Sequence, residues 1–308
     1  MNILIIGLGS IARKHIDAIR ALKIDAKIYA LRSNQNTTSE DKIENIFSLE
    51  HFDIPIDFAI ISNPTNLHYK YIKILAEKEI PIFIEKPAIH SLENSDALIK
   101  LVESKKVITY VACNLRFHPC LVFLKNYLNS VQTRINEVNV YCGSYLPDWR
   151  PGKDFRKIYS ANAEMGGGVH LDLFHELDYT TWLFGFPNKS FSIKRNVSSL
   201  DIDAIDYANY SLEYQNYTAN IILNYYRNKV KRTIEIVLEN QILLVDLVNN
   251  IVVNEEDKVL FKITDFKINQ TYNDQMSYFF NCLCQNQIPI NSLKESIKVL
   301  KIVLQNAE

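Results

Sequence analysis

Leu4-Ile5-Ile6-Gly7-Leu8-Gly9-Ser10-Ile11-Ala12 is an apolar strand that runs through two glycines into a helix. Residue size decides the reading. Gly7 makes a tight turn, Gly9 lets backbone approach a pyrophosphate, and the small Ala12 lets the helix close on the strand. This is the G-x-G-x-x-G/A fingerprint of a dinucleotide site. The chain has only eight glycines in 308 residues, and three others stand together as Gly166-Gly167-Gly168. Glycine loses more backbone entropy on folding than any other residue, so a chain this sparing of it places it where a side chain would obstruct. The second cluster opens a segment rich in His, Asp and Glu.

Outward from the fingerprint, apolar strands alternate with helical patterns as far as about Ala112. Strands are expected at Asn2–Ile6, Lys27–Leu31, Phe58–Ser62, Pro81–Glu85 and Val107–Ala112, and helices at Ser10–Leu22, Asn66–Glu79 and Ser91–Ser104. Continuous apolar strands separated by helices imply a parallel sheet covered on both faces, an α/β Rossmann domain taken here as residues 1–118. Such folds bind ligand beyond the carboxyl ends of their strands. The cofactor candidates are therefore Gly7, Gly9, Ser10, Ile11 and Ala12, then Arg32 and Ser33, then Asn63, Pro64 and His68, then Glu85 and Lys86. An NAD site usually carries Asp or Glu at the end of the second strand to bind the ribose hydroxyls. This strand ends Leu31-Arg32-Ser33-Asn34 without an acid. A guanidinium fork and a hydroxyl suit a 2′-phosphate, so NADP is the expected cofactor and NAD the alternative.

Composition narrows the partners. Apolar residues make up 47%, charged residues 22%, and the net charge is −1 from 34 bases and 35 acids. No basic block marks a nucleic-acid surface, and no apolar run is long enough to span a bilayer. The chain enters its first strand at once, without a signal peptide, and its five cysteines have neither zinc nor disulfide spacing, which reads as cytoplasmic.

Acid–base chemistry concentrates in two places. Glu85-Lys86-Pro87 follows an apolar strand, which puts an ammonium at the cofactor end of the sheet. Gly166-Gly167-Gly168-Val169-His170-Leu171-Asp172-Leu173-Phe174-His175-Glu176-Leu177-Asp178 reads as a glycine loop entering one helix, with Asp172, His175 and Asp178 sharing a side at i, i+3, i+6. An imidazole flanked by carboxylates is an acid–base device. His170 and His175, five apart, diverge on a helix, so no metal is expected. Between the two places, Tyr145–Ser160 alternates rings and cations. Trp149 and Tyr159 could stack on a sugar, and Arg116, Arg150, Lys153 and Arg156 could hold phosphate or carboxylate.

Taken in order, Gly7-x-Gly9-x-x-Ala12, Asn63-Pro64 with His68, Glu85-Lys86-Pro87, Asn114-Leu115-Arg116-Phe117 and the glycine triplet before Asp172, His175 and Asp178 resemble the glucose–fructose oxidoreductase / inositol dehydrogenase (Gfo/Idh/MocA) family. The resemblance implies a Rossmann domain followed by an α+β domain with a large open, mainly antiparallel sheet, here residues 119–308. It also implies NAD(P)-dependent oxidation or reduction of a sugar hydroxyl. By position, Lys86 is similar to the family's catalytic lysine, His175 to its histidine at the reacting carbon, and Asp172 to the supporting acid. The family spaces these last two as Asp-x-x-x-His, whereas here they are one residue closer. The expected substrate is an anionic sugar, a sugar phosphate or nucleotide sugar, held by Arg116, Trp149, Arg150, Arg156, Tyr159, Asp172 and His175. Two other readings stand beside it: an enzyme with tightly bound cofactor that oxidises only transiently, and a cofactor-binding regulator without chemistry. Strands between Ser190 and Ile263 leave a sheet face for helices not to cover, through which a homodimer or homotetramer is expected. Helices at Tyr272–Gln285 and Leu293–Ala307 close the chain.

Overall fold

The computed structural model describes residues 1–34, 42–50, 52–131 and 133–305. The chain divides into two compact units, Met1–Asn114 with Ile268–Leu300, and Leu115–Lys267 with the residues from Lys301 on.

The first unit opens with β1 (Asn2–Ile6), α1 (Ser10–Ala21), β2 (Lys27–Leu31), β3 (Ile43–Ile46), β4 (Phe58–Ile61), α2 (His68–Glu77), β5 (Ile82–Ile84), α3 (Ser95–Ser104) and β6 (Thr109–Val111). The strands form one six-stranded sheet in the order β3-β2-β1-β4-β5-β6, with every pairing parallel. Ile3 to Ile6, Phe58 to Ile61 and Ile82 to Ile84 are all buried, as a sheet covered on both faces requires. α1 turns Ala12, His15, Ile16 and Ile19 inward at helical spacing. β3 was not foreseen; its Ile43-Glu44-Asn45-Ile46 lacks the apolar run that marks the other strands.

The second unit contains α4 (Pro119–Ser130), β7 (Ile135–Tyr145), α5 (Val169–Asp172), α6 (Phe174–Phe184), β8 (Lys189–Arg195), β9 (Tyr207–Glu213), β10 (Thr218–Asn224), β11 (Tyr226–Leu238), β12 (Ile242–Asp246), β13 (Ile251–Asn254) and β14 (Val259–Lys262). The strands form an eight-stranded sheet ordered β14-β13-β12-β11-β7-β10-β9-β8, antiparallel except where β7 meets β10. Its two faces differ. In one register row Ser192, Tyr210, Ile221, Val140, Ile234, Val245 and Val252 are all buried, whereas the adjoining row on the opposite face, Ile193, Asn209, Ile222, Tyr141, Thr233, Asp246 and Ile251, is not. β7 and α4 escaped the sequence reading because the polar half of β7 interrupts its apolar pattern.

α7 (Asn269–Gln285) and most of α8 (Leu293–Leu304) return to the first unit, which departs from a single boundary after residue 118. The cause is packing. Phe279 of α7 is fully buried, with its ring 5.4 Å from Phe58 and from Phe83 and 6.0 Å from Tyr110, each aromatic pair adding about 0.5–1.5 kcal/mol beyond area burial. Asn291 donates to the Val111 carbonyl at 2.7 Å, and Thr109 Oγ1 accepts from the Leu293 amide at 3.0 Å. Ala307, where the sequence ended the last helix, lies outside the described residues.

Candidate functional site

In the first unit the strand ends converge as the fingerprint requires. Gly7 has φ +88°, and a side chain there would lie 2.7 Å from the Asn63 backbone, so the turns after β1 and β4 are in contact through the missing Cβ. Ser62 Oγ donates to the Gly7 carbonyl at 2.8 Å and ties the same turns. Gly9 is a different case. It caps α1, and a side chain there would meet no atom of the described residues within 4 Å. Packing does not demand that glycine, and the opening suits a ligand resting on the helix N-terminus. Ala12 is buried in the α1 contact, while Ser10, Ser33 and Pro64 are exposed and Ile11 half-buried. Arg32 Nη1 and Asn63 Oδ1 are sealed from solvent without a hydrogen-bond partner among the described residues. Leaving such groups unsatisfied costs about 1–3 kcal/mol each, which an anion and a hydroxyl of a bound nucleotide would relieve. The residues present therefore fit a dinucleotide: Gly7, Gly9 and Ser10 at the pyrophosphate, Arg32 and Ser33 at the ribose of the adenosine half, Asn63 beside them.

Two candidates face inward instead. His68 is buried, its Nε2 within 2.9 Å of the Asn63 carbonyl and its Nδ1 3.3 Å from that of Ala88, and burial lowers its pKa. It braces the turn after β4 against the Glu-Lys-Pro turn and has no ring nitrogen left for a ligand. Glu85 likewise turns into the fold, one oxygen against His15 Nε2 at 2.5 Å and the other accepting from the Lys86 amide at 3.2 Å. His15 is fully buried on α1, with Phe83 packed edge-on at 4.8 Å. His15 shares the buried side of α1 with Ala12, Ile16 and Ile19, and its place there does not by itself point to Glu85. Lys86, half-buried, is thereby fixed at its backbone at the end of β5.

In the second unit the glycine triplet works by close approach. A side chain at Gly167 would lie 2.1 Å from the Tyr159 carbonyl and 2.8 Å from that of Asn162. The expected single helix is not continuous. Leu173 (φ −94°, ψ +37°) breaks it, leaving Asp172 at the end of the four-residue α5 and His175 and Asp178 on α6. Asp172 and His175 therefore do not share one helix side. The Asp172 carboxylate instead accepts from Tyr225 Oη at 2.5 Å, and burial together with that carboxylate raises the Tyr225 pKa far above its ordinary value. Nor does Asp178 orient the imidazole. Both its oxygens accept from Arg116, at 2.9 Å from Nε and 2.7 Å from Nη2, in a pair with side chains 6% and 1% exposed. This bidentate pair occupies the guanidinium that the sequence reserved for substrate. Glu176, fully buried, accepts from Arg232 Nε of β11 at 2.6 Å. Burial and the nearby Glu176 push the Cys142 thiol up to about 12. Two acids of the segment are thus spent on arginines, while His175 and Asp172 stay half-buried.

Trp149 Nε1 donates to Ser144 Oγ at 2.9 Å, and its indole stands edge-on to Tyr225 at 5.3 Å. Tyr159 Oη donates to the Gly166 carbonyl at 2.7 Å. Trp149, Tyr225 and Asp172 thus form one chain of contacts, with Tyr159 on the glycine loop beside it. Arg150, Lys153 and Arg156 are exposed on the same irregular run, Arg156 over the Phe155 ring at 4.5 Å. Tyr225 and Arg232 were missed. The only signal was their position, at the end of β10 and inside β11. Among the described residues no group of three His, Cys, Asp or Glu is placed to hold a metal, and no helix is long and apolar enough to cross a membrane.

A parallel sheet with a glycine turn after its first strand and a mainly antiparallel open sheet define a two-unit fold whose first unit is a dinucleotide-binding Rossmann domain. Residues 1–113 match the family described as oxidoreductase family, NAD-binding Rossmann fold (GFO_IDH_MocA). Over those residues the chain is a Rossmann domain of the Gfo/Idh/MocA type. It is 24% identical over 194 residues to the NADP(+)-dependent scyllo-inositol 2-dehydrogenase IolW of Bacillus subtilis, a stretch covering 61% of this chain and 52% of that protein, so it aligns with about half of that relative's length. Among solved structures, levoglucosan dehydrogenase in complex with NADH and levoglucosan superimposes with a TM-score of 0.84 at 17% identity, over 98% of this chain and 95% of that one. UDP-N-acetylglucosamine 3-dehydrogenase GnnA of Acidithiobacillus ferrooxidans does so at 0.80 and 18%, over 99% and 96%.

Proposed function

We propose that this protein is an NADP-preferring oxidoreductase that transfers hydride between the nicotinamide and a hydroxyl-bearing carbon of an anionic sugar, a sugar phosphate or nucleotide sugar. The observation that carries the reading is the division of labour along Asp172–Asp178. Glu176 and Asp178 are held by arginines, which leaves His175 as the imidazole of the segment for proton transfer. When bound, the nicotinamide supplies the hydride acceptor or donor. His175 takes the hydroxyl proton during oxidation and returns it during reduction. Lys86, at the cofactor end of β5, stabilises negative charge as it develops during hydride transfer. Asp172, held by Tyr225, accepts from a neighbouring hydroxyl of the sugar. Arg150, Lys153 and Arg156 attract the anionic group, and Trp149 offers an indole face to the ring. The sheet face whose central row, Ile193 to Ile251, is not buried docks a second copy of the chain.

The unpartnered Arg32 Nη1 supports NADP over NAD. Tight binding of NADPH with weaker NADH is expected, and Arg32→Ala should weaken NADPH about 10–100-fold, the worth of a charge-assisted hydrogen bond. Lys86→Met and His175→Ala should each retain NADPH binding and lower kcat by about 10²–10⁴-fold. Turnover unaffected by either change would remove that residue from the mechanism, and faster turnover of inositol or glucose than of phosphorylated or nucleotide sugars would remove the anionic substrate.

A further inference from the structure

His175 occupies a helix that makes its own contribution to the chemistry. In an α-helix each residue advances about 100°. Relative to His175, Glu176 therefore projects about 100° to one side and Asp178 about 60° to the other. Each of these flanking acids is buried and bonded to an arginine from a different element. Asp178 is held by Arg116, on the turn Asn114–Phe117, and Glu176 by Arg232, on β11. Their side chains are 1% and 0% exposed. Next to them, Thr180 and Thr181 return their hydroxyls to carbonyls of α6 itself, and Lys125 donates to the Trp182 carbonyl at 2.6 Å. Buried ion pairs add little net stability compared with apolar packing, but a displaced partner leaves an uncompensated charge in the interior, which penalises other arrangements of the helix.

We infer that Arg116–Asp178 and Arg232–Glu176 are a pair of positioning clamps that fix the rotation of α6 and so the direction in which His175 presents its imidazole. The inference rests on the proposed role of His175; it replaces direct orientation of the imidazole by Asp172 or Asp178 with orientation of the whole helix by two arginine–carboxylate pairs, in one of which Asp178 takes part. It explains why carboxylates next to a proton-transferring histidine are turned away from it. It also explains why a helix that breaks at Leu173 needs anchoring on both sides beyond the break.

The test compares Asp178→Asn and Arg232→Met with the unaltered protein. Both substitutions keep side-chain size roughly constant and remove one charge of a clamp. With the clamps as positioning devices, kcat falls about 10–100-fold in each, in line with the cost of a misplacement of about 1 Å, while KM and NADPH affinity change less than about threefold. In protein carrying ¹³C-labelled histidine, the His175 signal, assigned by its disappearance in His175→Ala, shifts or splits in both variants, whereas the signals of His15 and His68 stay in place. Arg232→Lys, which retains the charge, restores most of both. If Asp178→Asn does not fold, Arg116→Lys replaces it, with the same two readings expected in smaller measure. A folded variant with unchanged kcat and an unchanged His175 signal overturns the inference. The signal is read without substrate, so an enzyme inactive on every sugar would sink the proposed reaction and leave the clamps to be judged by the spectrum alone.

Discussion

The nucleotide end of the first unit and the acid–base segment of the second solve the same problem, fixing a few groups to within fractions of an ångström, by opposite means. The first uses absence. Gly7 allows two turns to touch, Gly9 leaves an opening, and Ser62 and His68 tie the turns together through backbone carbonyls. The second uses charge, two arginines pinned to two acids in the interior. Absence is encoded locally, since a glycine acts where it stands. Charge pairing is encoded at a distance: Arg116 and Asp178 are 62 residues apart, and Glu176 and Arg232 are 56 apart. A local device announces itself in a sequence, whereas a paired one looks like two ordinary surface charges until the chain folds.

The sharpest break in this comparison comes from the glycines. Gly7→Val forces a β-branched residue to φ +88° and into the Asn63 backbone. It should lower NADPH affinity by more than about 100-fold, or about 3 kcal/mol, and lower the melting temperature as well. Gly9→Ala meets nothing in the protein, so its melting temperature should stay within about 1 °C of the parent while its NADPH affinity drops about tenfold. Isothermal titration and thermal melting separate the two. Equal behaviour of the two variants would mean that Gly9 is not where a nucleotide rests.

That contrast also explains what could be read in advance. The six-stranded sheet was legible because its strands are continuous apolar runs broken by turn residues, and Gly7-x-Gly9-x-x-Ala12 fixed its first crossover. The second sheet was legible from β8 onward, where alternation is clean. At the candidate site, Lys86 and His175 stood out by place, an ammonium directly after a strand and an imidazole among carboxylates after a glycine loop. Two things did not show. The break at Leu173 depends on backbone dihedrals that no residue type there dictates. The fates of Arg116, Asp178, Glu176, His68 and Glu85 depend on which partner each meets, and spacing carries no information about that. Tyr225, which holds Asp172, is one of seventeen tyrosines and could not be singled out.

Charge in the interior has a consequence that shape does not, a dependence on pH. In the second unit burial lowers the pKa of His170 and of His118 from 6.5 to about 4, helped at His170 by Lys194 and at His118 by Arg232. In the unfolded chain each imidazole takes a proton near pH 6.5, and in the folded chain only near pH 4. Between those values the unfolded state binds more protons, so stability falls as the pH drops from about 6.5 to about 4. Each histidine removes at most about 3 kcal/mol over that window. Urea midpoints at pH 7, 5.5 and 4.5 should decline, and His170→Gln should decline less steeply. Parallel curves for parent and variant would show that His170 titrates normally.

The smallest effect concerns the sheet face that the second unit leaves uncovered. One end of that face carries Glu137, Glu213 and Glu235, with Lys189 beside them; the other carries Arg195 and Lys231. Between them lie Asn139, Asn209, Asn220, Ile222 and Tyr141, and on the edge strand Phe191 and Ile193 are 52% and 54% exposed. A two-fold axis through the middle of such a face lays the acidic end of one copy over the basic end of the other, because an isologous contact pairs each patch with its opposite across the axis. A partner with a uniform charge would match only half of the face, so a second copy of this chain is the occupant that the charge gradient favours. Sedimentation should find a dimer at micromolar concentration. Ile222→Asp should render it monomeric, and raising salt from 50 mM to 500 mM should weaken it only a few-fold, since the end charges are exposed and screened while the central contacts are not. A monomeric parent protein, or a dimer indifferent to a carboxylate at position 222, would leave the open face to some other partner and confine the two-fold argument to the charges themselves.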